Sequence, residues 1–298
     1  MQSIAKTCIA LAAALSMGAA FADVKFDANI ETNTTKSTGK SVDNGGRVEV
    51  NANAQLLKNG DNFVNAKGTL EVPLTGDKVN VADAWIQFGN STADLKLGRF
   101  EAVDLFPLGK DVVVEGAGAA SGYRANALRG RFIDGQMHAA VGLNAGAGLR
   151  AELGVVTKKD TTGKAYGVRP TVTYSSGPLT LRAGVESIKT EGSTAAAQTG
   201  FGLSAGYAIN SDTSVNVNYA KNSKANAQSF GANATFGAAG VGLIQDKDGS
   251  DKQTTFYAAY SFPLFGIKGA TVTPAISRST GTGVDGVTAV RVRLNYAF

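Results

Sequence analysis

Apolar and polar residues alternate along nearly the whole chain with a period of two. In "VKFDANIET", Val24, Phe26, Ala28 and Ile30 share one face, while Lys25, Asp27, Asn29 and Glu31 share the other. "RVEVNANAQL" sets Val48, Val50, Ala52, Ala54 and Leu56 against Arg47, Glu49, Asn51, Asn53 and Gln55. Side chains of an extended strand point alternately to its two faces, so each segment predicts a strand with one oily and one wet side. The pattern returns in "YGVRPTVTY", "LTLRAGVE", "FGLSAGY", "SVNVNYA", "SFGANATF", "FYAAYSF" and "ATVTPAIS", and the chain stops on it in "VRVRLNYAF". Pro73, Pro170 and Pro274 interrupt such segments and predict bulges or strand ends there.

Two kinds of connection take turns between these segments. Tight ones lie at Lys58 to Asp61, Gly89 to Thr92, Asp134 to Gln136, Ser175 to Pro178, Ile209 to Asp212 and Gly237 to Gly240. Longer polar ones lie at Thr35 to Gly46, Phe100 to Gly122, Lys158 to Lys164, Lys189 to Thr199, Lys221 to Ala227, Asp246 to Gln253 and Ser279 to Gly286. Only "TGDK" at 75 to 78 is short where a long loop is due. From Met137 to Val155 the alternation never breaks. As one long strand, this stretch brings the total to about sixteen with both termini on the tight-turn side. Splitting it at "NAGAG" gives an odd total, which the even parity of membrane barrels disfavours; fourteen is the alternative count.

Sixteen amphipathic strands can close on themselves and leave no unpaired edge, even in lipid. A soluble sandwich would need large residues on its inner faces to reach interior packing density. Here the presumed inner face carries Lys, Arg, Glu, Asn and Thr on strand after strand. The expected fold is therefore all-β: a transmembrane antiparallel β-barrel of about 16 strands with an inward-folded constriction loop. After residue 22 no stretch reaches the roughly 18 consecutive apolar residues of a membrane helix.

Composition narrows the class further. With 37 Gly, 6 Pro and 18% charged residues, the chain suits many turns and strands better than disorder. "MQSIAKTCIALAAALSMGAAFA" has one Lys, an apolar run and an Ala-Phe-Ala end, the layout of a secretory signal peptide expected to be cleaved after Ala22. The mature domain would then be 23–298, without the one Cys, which is Cys8, and so without disulfides. Its charge, 28 basic minus 24 acidic after Lys6 is removed, is +4 and scattered singly, unlike the basic stripe of a nucleic-acid binder. Export, a cysteine-free barrel and an outward apolar band imply a bacterial outer membrane, with lipid as neighbour.

Catalytic chemistry finds little to stand on. His138 is the single histidine, placed next to a tight turn as an ordinary polar side chain. That leaves no His-rich or thiolate metal site, and no nucleophile can be matched to it. "GAGAASG" at 116 to 122 does not fit a phosphate-cradling fingerprint. Neither an enzyme nor a cofactor is expected.

The 100 to 122 segment, "FEAVDLFPLGKDVVVEGAGAASG", is different. Leu105, Phe106, Leu108 and Val112 to Val114 suit a loop pressed against an inner barrel wall better than one lying in water. It carries Glu101, Asp104, Asp111 and Glu115, with Lys110 among them. By alternation, Arg47, Lys67, Lys96, Arg129 and Arg131 are wall positions on nearby strands, joined by Arg291 and Arg293 where the last strand meets the first. Arg99 is in phase with Leu95 and Leu97, so it is placed at a strand end turning into the loop. Trp85 shares parity with Asp83 and Gln87: either it faces the lumen, where it could stack on a sugar, or a small bulge turns it into the interface belt.

"ADAWIQFGNSTADLKLGRFEAVD" at 82 to 104 resembles the segment of Gram-negative trimeric porins that leads into their third outer loop. "RANALRGRF", "YSSGPLTLRAG" and the terminal "NYAF" are similar to a returning strand, a turn and a closing strand of that family. The resemblance implies a passive channel for small hydrophilic solutes. It also implies loop acids facing wall bases across a narrow passage, and a homotrimer. Tyr296 and Phe298 would signal to the barrel assembly machinery. Two departures, the short "TGDK" turn and the absence of a Pro-Glu-Phe-Gly-Gly pattern after "LGR", leave room for a sugar channel of the glycoporin kind. A non-conducting structural barrel or adhesin is the further alternative.

Overall fold

The computed structural model describes residues 23–298 apart from 77, 111–112, 114–125, 127, 131–136, 161–162, 195–196, 223–225 and 283. Strands β1 (Asp23–Ser37), β2 (Asp43–Asn59), β3 (Asn62–Pro73), β4 (Asn80–Gly89) and β5 (Ala93–Arg99) form the first run. A long connection precedes β6 (Met137–Gly146), β7 (Leu149–Asp160), β8 (Gly163–Ser176), β9 (Leu179–Thr190), β10 (Gln198–Ala208) and β11 (Thr213–Asn222). The wall is completed by β12 (Ala227–Phe236), β13 (Ala239–Asp248), β14 (Asp251–Tyr260), β15 (Phe262–Pro263), β16 (Ala270–Gly281) and β17 (Val284–Ala297). Every pairing is antiparallel between chain neighbours, and β17 returns to β1 from Asn29↔Ala297 to Ser37↔Ala289. β15 is a two-residue continuation of β14 on the same side of β16, so the 17 segments make a closed barrel of 16 staves.

The count of sixteen stands, but its membership differs from the sequence expectation. Met137 to Val155 is not one strand: β6 and β7 are joined by a tight turn at Ala147 and Gly148. Gly146, Ala147 and Gly148 have φ of 79°, 48° and 78°, the left-handed conformations that a primed hairpin turn requires. The break is invisible in the pattern because residues facing each other across this hairpin have the same parity, as in Asn144↔Arg150 and Ala140↔Gly154. A shift between Asn144 and Gly146 absorbs the odd residue at the turn. The strand gained here offsets one expected before Met137, where Leu128, Arg129 and Gly130 are described and lie outside any strand. The expected tight turn at Asp134 to Gln136 lies outside the described residues.

Long, regular strands shorten the outer loops relative to expectation: β1 runs to Ser37 and β2 begins at Asp43. Pro73 ends β3. Pro170 and Pro274 lie within β8 and β16, each beside a gap in pairing with one neighbour, so neither missing N–H removes a ladder bond on that side. At the other end Phe298 and Ala28 exchange both backbone hydrogen bonds, at 2.9 and 3.0 Å, extending the closing seam to the last residue.

The large apolar side chains of the wall point outward and are exposed, among them Phe26, Val141, Leu153, Leu203, Phe256 and Val292. What a soluble protein would call its core lies inside the barrel and is made with the long connection after β5. One cluster joins Leu105 and Phe106 to Ala220, Ile244 and Tyr257; a second joins Val113 to Ala259, Ala275 and Ala289.

The tight turns are tied to one another. Asp61 accepts hydrogen bonds from the Ser91 backbone N–H at 3.1 Å and hydroxyl at 2.6 Å, and Asn144 donates to the Ser91 carbonyl at 2.8 Å. Those two Ser91 donors hold the Asp61 carboxyl below its ordinary value of 3.8. A depressed carboxylate contributes stability above its unfolded pKa and loses it as pH falls through the folded one. We expect hydrogen exchange at the Ser91 amide to speed up, beyond its intrinsic pH dependence, as pH drops below about 3.8. Asp61→Asn should abolish that step; a step that survives the substitution would place its origin elsewhere.

Candidate functional site: the lumen and its inward loop

Beyond Arg99, the last residue of β5, the chain turns into the barrel. Phe100 is 2% exposed and stacks on His138, with centroids 4.3 Å apart and planes 7° from parallel. His138 is thus a buried packing partner of the loop entrance rather than a wet side chain near a turn. Gly154 leaves room for it: a Cβ there would sit 2.6 Å from His138 Nε2.

The loop then follows the inner wall, and its apolar side chains enter gaps left by lumen-facing glycines. Leu105 lies over Gly184 of β9 and Phe106 over Gly231 of β12, where an added Cβ would come within 2.6 and 2.8 Å of them. Leu128 fills the space over Gly167 of β8 in the same way. Polar wall residues then fix the loop backbone. The Pro107 carbonyl accepts from Asn218 at 2.7 Å and Asn233 at 2.8 Å, and the Leu108 carbonyl accepts from the Tyr257 hydroxyl at 2.7 Å. Lys110 donates to the Gly237 carbonyl at 3.1 Å. Buried backbone carbonyls are costly when unmade, so these bonds select the docked course of the chain.

A buried ion pair pins both limbs of the loop. Arg169 of β8 and Glu186 of β9 are 3.2 Å apart, with side chains 1% and 2% exposed. Arg169 also donates to the Val103 carbonyl at 2.7 Å and to Asn126 Oδ1 at 3.2 Å, while Glu186 accepts from the Leu128 backbone N–H at 3.0 Å. Asn126 donates to Asp104 Oδ1 at 2.6 Å and accepts from the Leu105 N–H at 3.1 Å. Outgoing and returning segments are therefore cross-linked through one charge-assisted network.

The expected charges are distributed less simply than acids on a loop facing bases on a wall. Glu101 and Asp104 are on the loop, but Arg129 is there with them, 3.1 and 3.7 Å away, and donates to the Ala102 carbonyl. Arg129 is not a wall residue, because the segment that carries it lies inside the barrel. Asp111, Glu115 and Arg131 lie outside the described residues. On the wall, Arg47 of β2 takes three carboxylates: Glu71 at 2.9 Å, Glu49 at 3.3 Å and Glu31 at 3.6 Å. Arg293 is 3.8 Å from Glu31 and donates to Asn33 at 2.8 Å, while Arg291 is buried beside Thr35 at 3.4 Å. Lys67 pairs with Asp83 at 3.1 Å. Trp85 faces the lumen, with the Lys96 ammonium 4.0 Å from its ring centre and 4.4 Å from that of Phe100. Tyr296 and Phe298 stack on each other at 5.4 Å on the outer side of the closing seam.

The lumen is thus a charged, polar tube narrowed by a docked loop, built on a wall with an apolar exterior. Over residues 10–148 the chain matches the family model described as porin-like glycoporin RafY. The barrel has the fold of the outer-membrane porins. Among solved structures, it resembles OmpT of Vibrio cholerae in its trimer form at TM-score 0.71 and 13% identity, covering 93% of this chain and 100% of that one. The anion-selective porin of Comamonas acidovorans aligns at TM-score 0.68 and 16% identity over 93% and 100% of the two chains. A substituted form of the Rh. blastica porin aligns at 0.64 and 15%, again over 93% and 100%. No curated protein matches the sequence.

The functional residues that the sequence reading missed are Arg169, Glu186, Asn126, Asn218, Asn233 and Tyr257, which hold the inward loop rather than line the passage. Alternation had already placed the wall members among them on the inner face. Glycines at 167, 184 and 231 were the second signal, since they carry no side chain on a face that is otherwise polar.

Proposed function

We propose that this barrel is a water-filled channel for passive diffusion of small hydrophilic solutes across the outer membrane. The observation that carries this reading is the inward loop, docked by its apolar side chains on one side of the lumen while charged side chains line the rest. Passage depends on size and on the field of those charges, with no chemical step; a low-dielectric wall strengthens that field relative to open water. Loop pairs Glu101–Arg129–Asp104 and the wall group around Arg47 form the filter, together with Lys67, Lys96, Arg291 and Arg293. Residues 1–22 serve export and are removed. The working form is a homotrimer, a reading supported by the trimer form of the Vibrio relative.

In a planar bilayer the purified protein should give stepwise conductance, and flat traces at every voltage would refute the channel. Deleting Phe298 should lower the yield of assembled barrel, because both hydrogen bonds to Ala28 and the outward stacking on Tyr296 go with it; an unchanged yield would show that the terminus does not direct assembly.

A second reading, a channel biased toward saccharides, is favoured by the glycoporin description of the matching family and by the lumenal Trp85 beside Phe100. Aromatic faces next to polar groups suit a sugar ring, which offers C–H bonds on one side and hydroxyls at its edge. Oligosaccharide that blocks the current at millimolar levels, with the block lost in Trp85→Ala, would select this reading over the general one.

A further inference from the structure

Most cations that strand alternation turns into the lumen have an acid at short range. Lys67 has Asp83, Arg150 has Asp94 and Glu152, Arg169 has Glu186, and Arg47 and Arg293 have the wall glutamates. Lys96 is different. Its ammonium lies 4.0 Å from the ring centre of Trp85 and 4.4 Å from that of Phe100, with neither an ion pair nor a hydrogen-bond partner among the described residues. Ring faces attract a cation through their quadrupole, but the N–H donors of a lysine ammonium still need acceptors.

The surroundings define what can supply those acceptors. Asn65, Gln87 and Lys96 lie level across β3, β4 and β5. The next row toward the loop end is Lys67, Trp85 and Gly98, so no side chain stands beside the half-buried Trp85 on β5. Gln87 donates to Asp94 at 2.9 Å, which leaves its amide oxygen, and Asn65 has no side-chain partner among the described residues. Asp83, Asp94 and Glu152 act on Lys96 through space, yet each already has its own base. Lys67, Lys96 and Arg150 thus balance Asp83, Asp94 and Glu152, and the group exerts no general pull on anions. What it presents is one point donor of charge-assisted hydrogen bonds, set between an aromatic ring and neutral amides.

We propose that Lys96 and Trp85 form a subsite for an acidic sugar, a pyranose ring carrying a single carboxylate; the site rests on the saccharide-channel reading. The carboxylate accepts from the Lys96 ammonium, the C–H face of the ring lies against Trp85, and the hydroxyls at its far edge meet Asn65 and Gln87. A neutral sugar of the same size displaces water from the ammonium without replacing it by a charged acceptor, and so binds less well. A phosphate ester suits the site less. Its second charge would face Asp83, Asp94 and Glu152, and an ammonium lacks the bidentate fork that phosphate favours.

The test is block of single-channel current through the full barrel by trigalacturonate and by maltotriose. The wild type should be blocked by trigalacturonate at a concentration on the order of tenfold below that needed for maltotriose. Lys96→Gln should abolish this preference, and Lys96→Arg, which keeps a cation over the rings, should retain most of it. Trp85→Ala should weaken block by both sugars. Arg182 of β9 serves as the control, a second lumen-facing cation without an acid partner among the described residues, level with Thr173 and Ser204. Arg182→Gln should leave the preference intact. A preference that survives Lys96→Gln, or that falls as much in Arg182→Gln, belongs to the field of the whole lumen and overturns the subsite. Equal block by the two sugars also overturns it while keeping the saccharide channel. Absence of block by either sugar refutes the saccharide reading together with the subsite, and a wild type that never conducts refutes the channel itself.

Discussion

Replacing Arg169 by methionine should unpin the constriction loop while leaving the barrel closed. The guanidinium and its partner Glu186 are almost fully buried, at 1% and 2% exposure. Removing one member of such a pair leaves the other buried charge without that partner, typically at a cost of about 3–5 kcal/mol. The Val103 carbonyl and Asn126 lose a donor in the same step. Pairing of β8 with β7 and β9 is made by backbone hydrogen bonds and survives, so the loss falls on the docked loop, whose limbs meet at this site. Single-channel conductance should rise and become noisy, and trypsin should gain a cut at Arg129 without loss of the heat-resistant barrel on a gel. Arg169→Met combined with Glu186→Leu should recover part of the quiet state, because the buried pair is then removed as a unit. Lys164→Gln, which breaks an exposed pair with Glu191 worth at most about 1 kcal/mol, should alter neither readout. A quiet, wild-type trace from Arg169→Met would show that the apolar side chains alone hold the loop.

The barrel was legible because its wall obeys one rule, outward apolar and inward polar, from Val24 to Phe298. Even the error at Met137 to Val155 has a physical origin: a hairpin whose facing residues share parity, with a bulge beside its turn, leaves no break in the alternation. The docking surface was legible in part. Equal steps back from the turn at Gly177 and Pro178, which closes on Ser176↔Leu179, bring 169 level with 186, so the buried pair follows from hairpin arithmetic. What sequence could not supply was the course of the loop itself. Arg129 obeys no periodicity that distinguishes a wall strand from a segment inside the barrel, and its partners Glu101 and Asp104 are more than twenty residues away. The carboxylates around Arg47 were placed on the inner face by alternation, yet nothing in their spacing said that one cation would be shared by three of them.

That sharing sets up the second large effect: Arg47→Ala should turn the pore toward cations. Glu49 and Glu71 are directly opposite each other in the β2–β3 register, and Glu31 is opposite Arg47 itself. Like charges facing across a strand pair are unfavourable, and Arg47 is the group that bridges them. Without it the strip presents carboxylates to the lumen, relieved among the described residues by Arg293 at 3.8 Å from Glu31 and by the Asn51 amide, which donates to Glu49 at 3.3 Å. Under a potassium chloride gradient the reversal potential should move toward that of potassium. The shift should shrink as salt is raised, since the screening length falls from about 10 Å at 0.1 M to about 3 Å at 1 M. Arg47→Lys should keep most of the wild-type value, with less than the wild type's reach because an ammonium is a single point charge without the guanidinium fork. Adding Glu49→Gln and Glu71→Gln to Arg47→Ala should bring the potential back. If Arg47→Ala leaves the reversal potential unchanged at low salt, the Arg47 strip lies off the narrowest path, and the filter must be sought in the Glu101–Arg129–Asp104 group on the loop.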